Sequence, residues 1–440
     1  QGENMKVISA ALLTLAALLL AACARTEFMP PDVQGAPLMT AVDGKPVLLV
    51  LTRQEERRVS RTWAGRWGWS TENRYLLFHF DLRAYDPTTA TPLWRARLVT
   101  FNDPEYKSRW PQVRVVGSTN TGSLLGQDGD RIWLQIADSP LAVSATDGAR
   151  LIDAAQIEES NPLLAGKLPS EARFYGFDRG LVIHAADAQR WVLRGPDLKA
   201  EPWTPVAAPA EPVPLKGNGM PKIIPARPSG DAPTRMAMLG GSRIGLYTPR
   251  EATEAANDEF GDRFAYPYSI LDERSQARRT FWTVQTKQVE RFRERYERIT
   301  QLDPVADSAV FLRGRFLKQL PGEQALAATD PDGAFIWHSS RMDDEGRLSL
   351  TRVDAALKPQ WTVELPLSET STANPVRYWL IDNHVVVMGE RSHEVEYATR
   401  REPFLVSVSL ADGTMVAHNL RREATHPLDV SRVGPRIPGD

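Results

Sequence analysis

Five segments of this chain share one outline, and a sixth follows it: a short alternating strand, a turn opened by Asp, then a second strand that starts on an apolar or aromatic residue. An internal repeat constrains architecture more than any single motif, because each repeat buries its apolar face only against its neighbours. The clearest segment is Leu82–Trp94, turned by Asp86-Pro87-Thr88-Thr89. Similar ones run over Ala142–Ile152 with Asp147-Gly148, Leu193–Trp203 with Asp197 and Ile270–Trp282 with Asp272. Two more are Leu350–Trp361 with Asp354 and Leu405–Val416 with Asp412-Gly413. Asp opens such turns because its carboxylate can accept a hydrogen bond from an N–H two residues on, and Gly supplies positive φ.

With Trp94, Leu151, Trp203, Trp282, Trp361 and Val416 taken as equivalent points, the intervals are 57, 52, 79, 79 and 55 residues. Four short strands with their turns fill roughly 40–50 residues in a propeller blade, so these intervals are blade-sized. The two long ones carry insertions. Pro-rich residues 204–233 cannot pair as a central strand. In residues 285–300, Val289, Phe292, Tyr296 and Ile299 recur at i, i+3, i+7 and i+10, and Glu294 and Arg298 form an i,i+4 pair. That spacing predicts an amphipathic helix, either packed on the propeller's side or presented to a partner. Thr248-Pro249-Arg250-Glu251 has the outline of a capping box with Pro at the first helical position, which predicts a second, short helix. Short apolar runs at Val47–Leu51, Arg131–Leu134, Gly180–Ile183, Ala334–Trp337 and Val385–Met388 predict buried strands.

The fold expected is therefore all-β, a β-propeller over residues 38–422 with six four-stranded blades, or seven if the Pro-rich interval hides a degenerate one, and a helical insertion. The pairs Leu93-Trp94, Phe281-Trp282 and Gln360-Trp361, each following a turn, resemble the ends of blades in quinoprotein-like (PQQ/WD40-type) β-propellers. The family's Leu is kept only at Leu93 and its turn glycine only at Gly148 and Gly413. The resemblance raises a quinone-dependent dehydrogenase as one function class. Those enzymes often place a vicinal cysteine pair over the cofactor, and this chain has one cysteine.

That cysteine has another use. Lys6 is followed by an apolar run from Val7 to Leu20, broken only by Ser9 and Thr14, and then by Leu20-Ala21-Ala22-Cys23. This is the pattern of a signal peptide over residues 5–22, with an apolar stretch shorter than the roughly 20 residues a spanning helix needs. Gln1–Asn4 lie before the natural start on this reading. Leu-Ala-Ala-Cys resembles the lipobox of bacterial lipoproteins, which implies that Cys23 carries a diacylglycerol and becomes the lipidated first residue of the mature chain. Stable anchoring takes two or more acyl chains, and the class adds a further one to the new α-amino group. The other reading is an unlipidated secretory signal with a chance cysteine. Ala24 and Arg25 follow, without the Asp that resembles an inner-membrane retention signal, so an outer-membrane anchor on the periplasmic side is expected. Residues 23–37 then form a lipidated linker, and residues 423–440 a C-terminal tail.

Composition excludes more than it assigns. With a formal net charge of −2 and 25% charged residues, the chain has no basic field to hold nucleic acid. A sole cysteine rules out an intramolecular disulfide, a c-type haem motif and a cysteine metal cluster. The seven His show no metal spacing, and His393-Glu394-Val395-Glu396 reads as a polar loop. No nucleophile elbow, phosphate loop or dinucleotide fingerprint appears. No catalytic residue, metal or cofactor is predicted.

The segment Arg57–Trp69 interleaves Arg with Trp, the pairing common in binding hot spots. Arg61, Trp63, Arg66, Trp67 and Trp69 are candidate partner-binding residues, with Phe292 and Tyr296 of the expected helix. The competing account is a strand whose Trp63, Trp67 and Trp69 share a face by period-2 alternation and pack between blades, which the usual burial of Trp favours. Together these features predict a lipid-anchored envelope protein, a binding or assembly scaffold for another envelope protein. The alternative is a propeller enzyme, a quinone-dependent dehydrogenase or a hydrolase, with its site at the channel mouth.

Overall fold

The strand at Arg131–Ile136 shows why the chain folds in layers. Ile132, Leu134 and Ile136 lie on one face and Trp133 on the other, and all four are buried, so this strand is covered on both sides. The computed structural model describes residues 24–63, 69–101, 122–137, 139–169, 171–195, 197–204, 215–216, 220–221, 236–239, 241–257, 278–291, 294–317, 327–329, 332–343, 345–368, 376–395 and 398–421. The expected signal peptide, Cys23, Arg66, Trp67, Phe292, the Asp272 turn and the expected C-terminal tail lie outside these residues, as does most of the Pro-rich stretch.

The chain divides into two units, residues 1–86, 91–205 and 420–440 in one and 87–90 with 206–419 in the other. The first unit holds three antiparallel sheets. In the first, β1 (Ala24–Phe28), β2 (Asp32–Val33) and β3 (Leu38–Val42) all pair with β4 (Lys45–Trp63), which pairs with β5 (Trp69–Asp86), which pairs with β6 (Thr91–Phe101). The second runs β7 (Gly122–Asp128), β8 (Arg131–Ile136), β9 (Ser139–Ser144), β10 (Arg150–Ile152), and is followed by the helix α1 (Ala154–Ser160). The third runs β11 (Tyr175–Phe177), β12 (Leu181–His184), β13 (Arg190–Leu193), β14 (Ala200–Pro202). Val47, Leu49, Leu51, Phe80 and Leu82 of the first sheet pack on Ile132, Leu134, Leu141 and Val143 of the second. From the second sheet's opposite face, Trp133, Ala142 and Ile152 pack on Leu181, Ile183 and Leu193 of the third.

The second unit is again built of antiparallel sheets. After a small hairpin of β15 (Leu215–Lys216) and β16 (Met220–Pro221) come β17 (Met236–Leu239), β18 (Ser242–Tyr247), α2 (Pro249–Asn257), β19 (Arg278–Arg291) and β20 (Glu294–Pro304). β17 to β20 pair in chain order. Next are β21 (Phe311–Phe316), β22 (Ala327–Thr329), β23 (Asp332–Ser339), β24 (Arg347–Val353) and β25 (Pro359–Ser368), with β21 and β22 both on β23. A short pairing of Arg278 and Arg279 with Leu312 and Phe311 joins these two groups into one nine-stranded path. The last sheet is β26 (Arg377–Ile381), β27 (His384–Val395), β28 (Ala398–Ser409) and β29 (Met415–Asn419). Leu246 and Phe281 pack on Ile336 and Val353, and Trp337, Leu350 and Leu365 pack on Val385, Val387 and Val406. The described chain is all-β in class, with two short α-helices.

Two turns show how the repeat works locally. Gly148 donates to the Ser144 carbonyl at 2.9 Å and Gly413 to the Ser409 carbonyl at 2.9 Å. The Asp147 carboxylate accepts from the Ala149 N–H at 2.9 Å, and that of Asp412 from the Thr414 N–H at 3.0 Å. Both glycines have positive φ, and a Cβ on either would strike an indole of the sheet before it, Trp94 at 2.7 Å from Gly148 and Trp361 at 2.8 Å from Gly413. The Trp of one repeat thus packs over the turn of the next. The turn at Asp354 lacks glycine, and the Trp one repeat earlier, Trp282, instead donates its Nε1 hydrogen to the Tyr247 carbonyl at 3.0 Å.

Residues 285–300 correct the expected helix: they lie in β19 and β20. The register sets Val289 opposite Tyr296, Glu290 opposite Arg295 and Arg291 opposite Glu294. Residues seven apart stack on a helix, but they also face each other across a hairpin tip. Opposite charges set directly across a ladder favour the hairpin. The short helix at Pro249 forms as expected.

Candidate functional site

Three hairpins run past strands that flank them, the first past β6 but with β1 alongside it as far as Ser60. β6 pairs with β5 only from Phe78 to Asp86, yet the β4–β5 ladder continues through Arg57↔Tyr75, Arg61↔Thr71 and Thr62↔Ser70 to Trp63↔Trp69. β18 pairs with β19 only from Thr280 to Thr283, whereas β19–β20 reaches Arg291↔Glu294. β27–β28 reaches Val395↔Ala398, well past Met388, the last residue of β27 paired with β26. His393, Glu394 and Val395, expected in a loop, belong to this ladder.

The hairpins collect the described partner-binding candidates. Arg61 and Trp63 end β4, Trp69 begins β5, and Tyr296 lies in β20 opposite Val289. The expected single strand carrying Trp63 and Trp69 is instead two, and these residues stand directly opposite each other.

The root of the first hairpin is a buried polar network. His79, Asp81 and Arg83 alternate along β5 and are all buried. Arg95 and Arg97, on β6, close on the Asp81 carboxylate: the Arg95 Nε hydrogen bond is 3.1 Å, with a second from its Nη2, and the Arg97 Nε bond is 3.0 Å. Burial pushes the Asp81 carboxyl up, but Arg95 and Arg97 outweigh it and hold the group below its ordinary value. Arg83 donates to the Thr52 hydroxyl at 3.0 Å, and that hydroxyl donates to the Asp81 carbonyl at 3.2 Å. Arg95 also donates to the Gln54 side chain, whose amide donates to the Met29 carbonyl at 3.0 Å. This ties the segment between β1 and β2 to the same root.

Next along β5, His79 bridges Glu56 at 2.8 Å and the Thr100 hydroxyl at 3.0 Å. Burial, then the Arg97 charge, lowers its pKa, against the pull of the hydrogen bond to Glu56. A neutral ring donating from Nε2 to Glu56 and accepting at Nδ1 from Thr100 satisfies both contacts. The arrangement fixes two strands against each other where the hairpin leaves the sheet.

No protein-family model and no curated protein matches this chain. Among the described residues, no group of three or more His, Cys, Asp or Glu side chains is placed to hold a metal ion. No described helix is long and apolar enough to cross a membrane.

The second hairpin is rooted differently. Val284, Ile299 and Tyr247 pack with Ala252 of α2. The Thr248 hydroxyl accepts from the Glu251 N–H at 3.2 Å, and the Glu251 carboxylate accepts from the Thr248 N–H at 2.9 Å, completing the capping box. Glu251 also takes two hydrogen bonds from Arg279, at 3.0 and 2.8 Å, and Arg279 donates to the Gly314 carbonyl at 3.0 Å. The third hairpin is held by Ser368, whose hydroxyl accepts from the Ser392 N–H at 3.0 Å.

Sequence inspection missed the Asp81 network. Its one local signal is the polar alternation of His79, Asp81 and Arg83, a pattern that ordinarily marks a wet strand face.

Proposed function

We propose that this chain is a lipid-anchored envelope protein, held through Cys23 at the periplasmic side of the outer membrane, that serves as a β-propeller scaffold for binding or assembling another envelope protein. The stacked antiparallel sheets support the propeller: the first unit stacks three, the second a nine-stranded path that divides at the short β19–β21 pairing, followed by a four-stranded sheet, and Trp-over-turn packing recurs in both. A count of six blades takes the nine-stranded path as two. The lipobox at Cys23 supports the anchor.

The observation that carries the binding role is the set of hairpins that overrun their sheets. A hairpin prolonged past its flanking strands carries backbone beyond the sheet, and rigid scaffolds present recognition elements in this way. The test is photo-crosslinking in intact cells from Arg401, an exposed residue of β28, with Lys358, an exposed residue of the Asp354 turn, as control. A discrete adduct from Arg401 and none from Lys358 is expected. Repeated absence of any adduct from Arg401 would overturn the scaffold role.

A further inference from the structure

β1 pairs antiparallel with β4, with Phe28 opposite Glu56 and Ala24 opposite Ser60. Followed from Phe28 back to Ala24, β1 therefore runs toward the tip of the β4–β5 hairpin, and its tip-side end is the residue next to Cys23. Trp63 and Trp69 lie three residues beyond Ser60, roughly 10 Å further along the ladder at strand rise. The segments 57–63 and 69–75 carry four Arg (Arg57, Arg58, Arg61 and Arg74) against one Glu (Glu72), in a chain whose net charge is −2.

We infer that the far end of the β4–β5 ladder, at Trp63 and Trp69, is a membrane-docking element for the anionic surface of the bilayer that holds Cys23. This rests on the lipid-anchor reading. Chemistry and position agree. Trp concentrates at membrane interfaces, where an amphipathic ring suits a boundary that is apolar on one side and wet on the other. Arg is drawn to anionic headgroups within a Debye length. An acyl chain fixes only a point, so a chain tethered by lipid alone turns about its linker. Here the anchor is followed at once by a strand laddered to the hairpin, so insertion of the tip makes a second contact and sets the protein's orientation. The charge and the direction of β1 favour a lipid surface over a protein partner at this tip.

The test uses the full lipidated chain, with acylation of Cys23 confirmed by mass, in vesicles of phosphatidylethanolamine containing one quarter phosphatidylglycerol. A nitroxide is placed at Ser70→Cys or, as control, at Lys45→Cys, an exposed residue at the far end of β4 and roughly 60 Å away along the strand. The Ser70 label is expected to lose collisions with an aqueous nickel chelate and gain collisions with oxygen, while the Lys45 label stays aqueous. Adding Arg57→Gln, Arg58→Gln and Arg74→Gln should return the Ser70 label toward water. In the unlipidated Cys23→Ser chain, the same three changes should weaken flotation with these vesicles by roughly tenfold or more. A Ser70 label as aqueous as the Lys45 label, in a chain shown to be acylated, overturns membrane docking and leaves the anchor standing. It would also return the tip to the pool of protein-binding surfaces. If mass shows Cys23 unacylated, the anchor reading fails, and flotation of that chain decides the docking. Salt-sensitive flotation with phosphatidylglycerol vesicles but not with phosphatidylcholine vesicles supports it, and no flotation overturns it.

Discussion

The hairpins β4–β5 and β19–β20 both run beyond a neighbouring strand, β6 and β18, the first with β1 alongside it as far as Ser60, yet they are rooted by opposite means. The first stands on a buried charge network centred on Asp81, the second on an apolar cluster of Val284, Ile299 and Ala252 with a capped helix beside it. An isolated two-stranded ribbon is marginal in water, so the root helps to hold each arm where it runs beyond its neighbours. A charge network is directional and fixes one geometry, but it fails badly when any member is lost. An apolar root tolerates change gradually.

Removing a central charge should separate the two most sharply. Asp81→Ala leaves Arg95, Arg97 and Arg83 facing one another without their carboxylate, and breaking a buried ion pair from one side costs about 3–5 kcal/mol. The urea midpoint of the first unit's transition should fall by the corresponding amount, with the β4–β5 amides exchanging fastest. A shift no larger than that of an exposed Asp→Ala would show that the network contributes little. In the other root, Ile299→Ala removes a nearly fully buried side chain and should cost about 2–4 kcal/mol through lost burial and a residual cavity. Ile299→Val should restore most of it, a graded recovery with no counterpart at Asp81. Thr248→Ala deletes one half of the capping box and should cost about 1 kcal/mol, read as a loss of α2 protection without unfolding of the sheet.

How much of this is legible in the sequence depends on how far the decisive interactions reach. The turns at Asp147-Gly148 and Asp412-Gly413 and the cap at Thr248 are legible because their hydrogen bonds close within six residues. The strands at Val47–Leu51, Ile132–Leu134 and Val385–Met388 are legible because they are buried on both faces and therefore apolar throughout. Residues 285–300 mislead because Val289 and Tyr296, seven apart, satisfy a helix and a hairpin alike. What decides between them is the ladder from Trp282 opposite Pro304 out to Arg291 opposite Glu294, which no helical wheel displays. The Asp81 network is illegible because its parts come from three strands: Gln54 and Glu56 precede it by more than twenty residues, and Arg95 and Arg97 follow it by more than ten.

The smallest expected effect is the most specific to the comparison, because it turns on protons. Burial and the Arg97 charge lower the pKa of His79 below the ordinary value of about 6.5. Between that lowered value and about 6.5 the unfolded chain therefore binds more protons than the folded one, and stability rises with pH across the window. The contribution of His79 is full above the ordinary value and is lost as pH falls below it. Asp81 acts in a lower window. Its pKa is held below about 3.9, so its contribution is full above that value and lost as pH falls through the folded one. Between pH 7.5 and 5.5 only His79 is engaged. Amide exchange across Gln54–Glu56 and His79–Asp81, corrected for intrinsic rates, should quicken at the lower pH, whereas exchange in β19 from Phe281 to Val284 should not. His79→Gln should flatten the first response and leave the second unchanged. Equal acceleration in both roots would mean that acid loosens the whole chain rather than the one hairpin whose root depends on a neutral imidazole.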